Sequence, residues 1–185
     1  MKIKTIIDYC KKDGYFRYGY SSDGVQLLGN ELTFYVLPSV IPKLEKEIIA
    51  SMYGLKEKVV HNSVFEECDI PNIYSADCYE EEEEILPMNV EIIYSGIVLM
   101  PFITKNGIKF INKKYLMPLE TNTNELKYFL RGENYIAVKK GMLLSAVITE
   151  YSVCRDDIFV SEINKLCGLT NKQVDYLYCT DKKSL

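Results

Sequence analysis

Glycine-containing turns limit the fold of this chain more than any other feature. Asp23-Gly24, Gly29-Asn30, Asn106-Gly107 and Lys139-Lys140-Gly141 each separate two apolar or aromatic runs. Asp-Gly and Asn-Gly favour the positive φ of tight hairpin turns, so the flanking runs read as antiparallel strands. Tyr15–Tyr20, Val25–Leu28 and Leu32–Leu37 form a first meander. Val90–Tyr94, Ile97–Thr104 and Ile108–Ile111 form a second, with Pro101 expected at an edge or bulge. Tyr115–Leu119 reads as a short extended piece, and Tyr135–Val138 with Met142–Thr149 as a last hairpin. Leu143–Ile148 is apolar on both faces, as in a sheet centre covered by helices.

Helical spacing frames these strands. Ile3, Ile6, Ile7 and Cys10 lie on one face of a helix that Gly14 stops, and Leu44, Ile48 and Ile49 mark a second from Pro42 to about Met52. The expected class is α+β: one domain over residues 1–185, its mainly antiparallel sheet packed by N-terminal, central and C-terminal helices. Residues 55–88 show little periodicity, contain Pro71 and Pro87, and read as a long acidic excursion.

Charge is unevenly placed. Between Val59 and Thr104 there is no Lys or Arg, and ten acids give that stretch a charge of −10. The other residues hold 22 bases and 16 acids, a net of +6. Glu80, Glu81, Glu82, Glu83 and Glu84 are consecutive. Such a run is either a solvated loop or an anionic contact surface for a basic partner. It is not a catalytic carboxylate pair, which needs fixed separation and contrasting environments.

The first strand is aromatic. Alternation places Phe16, Tyr18 and Tyr20 on one face, with Tyr15 and Arg17 on the other. A strand half buried against a helix explains this, and so does an interaction surface using Tyr15, Tyr18 and Tyr20.

Catalytic signatures are lacking. His61 is the single histidine, which leaves little for a triad or an imidazole-rich zinc site. No phosphate loop, dinucleotide fingerprint or nucleophile elbow occurs. No cofactor or metal is expected, and a carboxylate- and metal-dependent hydrolase stands as the enzymatic alternative. The six cysteines have irregular gaps and mostly apolar neighbours, and read as reduced thiols of a cytoplasmic protein. No stretch reaches the ~18–20 apolar residues of a membrane helix.

The C-terminal part offers one motif. Residues 156–178 read as a helical corner, and Ser161 to Leu177 resembles a helix-turn-helix unit with Ile163, Gly168, Leu169, Val174 and Leu177 at its structural positions. In that reading Thr170 caps the second helix, and Thr170, Asn171, Lys172, Gln173 and Tyr176 face DNA. Asn164 replaces the small residue usual before the turn, and Asp175 offsets Lys172.

The opening Ile3-Lys-Thr-Ile-Ile-Asp-Tyr-Cys-Lys, the later Tyr18-Gly-Tyr-Ser-Ser-Asp-Gly-Val-Gln-Leu-Leu-Gly-Asn, Leu99-Met-Pro-Phe-Ile and Lys114-Tyr-Leu-Met-Pro-Leu are similar to small accessory proteins of prophages and mobile elements of low-GC Gram-positive bacteria. That family brings no established activity or catalytic residues. The resemblance implies a protein that binds and blocks a host protein, such as a defence nuclease. The expected function is non-enzymatic binding of a host or phage protein with a basic surface, with DNA binding through residues 156–178 as the alternative.

Overall fold

The computed structural model describes residues 1–88, 90–105, 107–119 and 125–152, together with Ile163 and Lys165. The expected helical corner at 156–178, with Thr170, Asn171, Lys172, Gln173 and Tyr176, lies outside the described residues apart from those last two positions.

The chain opens with α1 (Ile3–Asp13), which Gly14 ends in the left-handed conformation at φ 70°. Then follow β1 (Tyr15–Tyr20), β2 (Gln26–Asn30) and β3 (Thr33–Val36). Three short helices, α2 (Lys46–Met52), α3 (Glu57–Asn62) and α4 (Asn72–Ser75), flank β4 (Val64–Asp69). The remaining strands are β5 (Glu82–Pro87), β6 (Ile92–Tyr94), β7 (Ile97–Thr104), β8 (Gly107–Asn112), β9 (Leu126–Arg131), β10 (Tyr135–Lys140) and β11 (Leu143–Thr149). A 3-10 turn, Lys113–Leu119, links β8 towards β9.

All eleven strands join one sheet, ordered β4-β1-β2-β3-β11-β10-β9-β5-β7-β6, with β8 on the other side of β7. Every pairing is antiparallel except β1 with β4. The class is therefore mixed α and β with a large, mostly antiparallel sheet. Its main core lies on one face, where Phe16, Leu28, Tyr35, Ile136, Val138 and Ile148 meet Ile6, Ile7 and Cys10 of α1 and Ile49 of α2. The opposite face carries two smaller clusters, around Leu27, Phe34 and Ile70 and around Ala137, Leu144 and Val147, with Tyr74 packed against both. Ile163 is buried with Met88, Leu99 and Phe110 in a further cluster.

Several local expectations change. Residues 55–88 are not an excursion: they hold α3, β4, α4 and β5, and both strands enter the sheet. Gly29-Asn30 is not the second turn, because both residues belong to β2. A Cβ on Gly29 would stand 1.7 Å from the Thr33 carbonyl oxygen, so glycine is needed there for close backbone approach. Asn30 builds the turn instead, its Oδ1 accepting from Leu32 N–H at 3.0 Å and Thr33 Oγ1 at 2.9 Å. The second helix starts at Lys46 and not near Pro42, since the Leu44 N–H is held by Tyr20 Oη at 2.8 Å and Gln26 Oε1 at 2.9 Å. Tyr115–Leu119 is 3-10 rather than extended. Pro101 lies where β7 passes from β5 to β6, a gap in the ladder that tolerates a missing N–H.

Among the described residues, no helix is long and apolar enough to cross a membrane.

Candidate functional site

The acidic run divides at its middle. Glu80 and Glu81 are exposed ahead of β5, whereas Glu82, Glu83 and Glu84 are strand residues paired with β9. Glu82 stands directly opposite Arg131. Its Oε2 accepts from Arg131 Nε at 3.0 Å and lies 2.8 Å from Nη2, while its Oε1 accepts from Lys139 Nζ. The Arg131 and Lys139 side chains are 0% and 3% exposed, so this is a buried triad of one anion and two cations. Arg131 also donates to the carbonyls of Ile73 at 2.9 Å and Ala76 at 2.7 Å, which fastens α4 onto the sheet. Lys139 lies over the Phe129 ring at 4.2 Å. Glu83 and Glu84 pair with Lys105 and Lys127 at 3.4 and 3.3 Å in exposed bridges.

The other acids of the segment divide likewise. Glu66 faces Arg17 Nε at 2.7 Å and accepts from Tyr15 Oη at 2.9 Å. Asp77 accepts from the Leu144 N–H at 2.7 Å, and Glu91 pairs with Lys113. Glu67, Asp69, Glu80 and Glu81 are exposed and have no cationic partner among the described residues.

Tyr15, Tyr18 and Tyr20 fall on the faces that alternation predicts, and all three are engaged internally. Tyr18 is buried in the main core, and Phe16 stacks on Phe65 of β4 with ring centres 4.5 Å apart. Tyr20 Oη meets the Leu44 N–H and Gln26. The hydrogen bond to Glu66 raises the Tyr15 phenol above its usual range. Burial raises Tyr18, and the carboxylates of Glu67 and Glu47 add to it. Glu66 and Glu67 stand on one edge strand of the sheet, and Glu47 is on α2.

That edge is β4. It pairs with β1 on one side, and among the described residues no strand pairs with its other side. Its exposed positions are Val64, Glu67 and Asp69. Sequence reading missed β4 because its acids masked a six-residue run, Val64-Phe-Glu-Glu-Cys-Asp69, whose only strand signals are Val64 and Phe65.

A shallow cleft lies on the second face of the sheet. Gly29 pairs with both Arg17 and Phe34, and its lack of a side chain lets Arg17 reach across to stack on Phe34, Cζ to ring centre 5.1 Å. Tyr74 closes the cleft, 5.2 Å from Phe34 and 5.0 Å from Tyr135 between ring centres, with Val147 and Thr149 also lining it. It encloses about 150 Å³. That is far below the ~300–1,000 Å³ of pockets for cofactor-sized ligands, and close to the size of one side chain. His61 is exposed at the end of α3. Among the described residues, no three of His, Cys, Asp and Glu converge as metal ligands.

Comparison with known proteins finds no matching family model, no matching curated protein and no matching solved structure.

Proposed function

We propose that the chain is a non-enzymatic binding protein that engages a basic surface of a partner protein through carboxylates of the 59–104 segment. The observation that carries this reading is the division of its acids. Six are satisfied within the protein, and Glu67, Asp69, Glu80 and Glu81 are exposed without cationic partners among the described residues. Retaining such charges costs self-repulsion in the folded state, a cost that a cationic partner offsets while also speeding encounter. A surface of this kind suits a protein whose own basic groove handles nucleic acid, because carboxylates can stand where phosphates would. In this proposal the chain is an accessory protein of a mobile element that blocks a host nucleic-acid-handling protein, in line with the resemblance of its opening residues.

The test is a comparative pull-down from a host-like lysate treated with nuclease, using the native chain and a variant with Glu67, Asp69, Glu80 and Glu81 all changed to Lys. The four positions are exposed, so the thermal midpoint should barely move. The expected result is a stoichiometric protein partner on the native chain, released by high salt and reduced about tenfold or more on the variant. Equal capture by the two chains, or recovery of nucleic acid alone, refutes the proposal.

A further inference from the structure

We infer that the partner is held as an extended strand added to the free edge of β4, and that the accepted segment alternates basic residues along one face. This rests on the basic-partner reading above and specifies how that partner is gripped. Backbone N–H and C=O groups of successive strand residues point to alternate sides. The Val64 N–H donates to the Gly14 carbonyl at 2.9 Å, and the Ile70 N–H to the Tyr20 carbonyl at 3.4 Å. Val64, Glu66, Cys68 and Ile70 therefore turn their backbone groups towards β1. Phe65, Glu67 and Asp69 turn theirs outward, and among the described residues these have no backbone partner.

The other open positions of the sheet are less suited. The Tyr151 N–H donates to the Phe110 carbonyl at 2.7 Å, and Glu150 pairs with Lys109 at 2.6 Å, so residues 150–151 lie along β8. β6 has three residues. β4 has six, enough for an incoming strand to form a ladder.

The side chains select the occupant. Phe65, Glu67 and Asp69 share the sheet face of Phe16, Tyr18 and Tyr20 by register. The Phe65 ring is stacked on Phe16 and has Lys46 Nζ 5.3 Å from its centre, so Glu67 and Asp69, two exposed carboxylates, are the positions that select charge. A strand laid alongside places every second residue against these three, so lysine or arginine at two alternating positions is matched. A second copy of this chain is not: antiparallel pairing of two β4 strands centred on Glu67 sets Glu67 against Glu67, which like-charge repulsion opposes.

The test is calorimetric titration of the full chain, at low and at moderate salt, with a nine-residue synthetic peptide alternating lysine and valine. A second titrant is the same peptide N-methylated at every residue, which keeps each charge and removes every backbone donor. The expected result is binding of the first peptide, weakened about tenfold or more by N-methylation. Glu67→Pro should weaken it further than Glu67→Gln with little change in thermal midpoint, because proline there removes only an outward N–H. Equal binding of both peptides overturns strand addition and leaves the charge-based reading standing. Binding of neither at low salt overturns both. A concentration-dependent dimer that the peptide fails to dissociate overturns the choice of occupant.

Discussion

Removing the Glu82 carboxylate should be among the most damaging single changes at the surface-to-core boundary of this protein. The side chain is 13% exposed and answers two cations that are themselves 0% and 3% exposed. Glu82→Ala leaves the Arg131 guanidinium with the carbonyls of Ile73 and Ala76 and the Tyr79 ring, and leaves Lys139 facing the Phe129 ring. None of these contacts neutralises a buried charge. Breaking a buried ion pair from one side costs about 3–5 kcal/mol, because the orphaned charge stays desolvated. With a urea slope of about 2–3 kcal/mol/M, the unfolding midpoint should fall by about 1–2 M. Glu84→Ala is the matched control, one turn of alternation along the same face. Its bridge to Lys127 has side chains 57% and 51% exposed, and exposed bridges contribute about 0–1 kcal/mol. Glu82→Gln should fall between the two, since its amide oxygen still accepts one hydrogen bond. The assay is urea unfolding followed by circular dichroism on the three variants. If Glu82→Ala and Glu84→Ala shift the midpoint equally, the triad is not a stabilising unit and the strand assignment of its charge is wrong.

Two further outcomes follow from the same structure. Gly29→Ala and Gly19→Ala should each destabilise by more than about 2 kcal/mol, because a Cβ would meet the Thr33 carbonyl oxygen at 1.7 Å and the Cys68 carbonyl oxygen at 2.0 Å, and backbone must shift to admit it. Gly24→Ala, with open space around the position but φ 76°, should cost less in the same unfolding assay. Stability should also fall at alkaline pH. Burial, then Asp13, pushes the Cys10 thiol from its usual 9.0 up to about 12, and burial pushes the Tyr128 phenol from 10.0 up to about 12. Both acids are held neutral in the fold. Their contribution is therefore fully present below the unfolded values and is lost as pH rises through about 9–12 towards the folded ones. The urea midpoint should decline across that window, Cys10→Ala should remove the part of the decline that begins near pH 9, and a midpoint constant from pH 7 to 11 would contradict the buried placement.

The parts of the fold legible in the sequence were those where local chemistry and tertiary role agree. Gly14 stops α1 because the chain needs a left-handed residue there, and the alternation of Phe16, Tyr18 and Tyr20 matches a strand with one face in the core. The pairing of β10 with β11 is likewise local, joined at Gly141 with φ 63°. The parts that could not be read depend on partners far away in sequence. β5 is strongly acidic for a strand, and becomes one because β9 and β10 bring Lys127, Arg131 and Lys139 alongside it. β9, Leu126-Lys-Tyr-Phe-Leu-Arg131, has a local partner in β10 through the turn at Gly132, φ 59°, but its other side is fixed by β5, which lies over forty residues earlier. β4 is held by parallel pairing to β1, about fifty residues earlier, which no turn residue announces. Gly29 misled for a related reason. A glycine beside an asparagine looks like a turn, yet its role here is to let another strand's carbonyl approach.

Charge composition alone could not locate the candidate site, and the structure shows why in physical terms. The five consecutive glutamates dominate the sequence, but a carboxylate attracts an outside cation only to the extent that no internal one already screens it. Glu82 is neutralised twice over within the fold, and Glu83 and Glu84 each have a lysine within 4 Å. What remains of the run for a partner is Glu80 and Glu81, at its solvent end. Glu67 and Asp69 are two of the five acids of the segment outside the run and look unremarkable beside it, yet they stand on a strand whose outer hydrogen-bonding groups are open among the described residues. Backbone donors supply directional affinity, and the carboxylates restrict which strands can use them. In the strand-addition proposal the same negative charge would also oppose pairing of two copies of the edge, so one feature would act both for the heterologous partner and against self-association. If that coupling is right, Glu67→Ala with Asp69→Ala should weaken capture of a basic peptide and, at the same time, raise the tendency of the chain to dimerise, as read by sedimentation over a range of concentrations. Loss of peptide binding with no gain in self-association would separate the two roles and leave the edge as a purely electrostatic site.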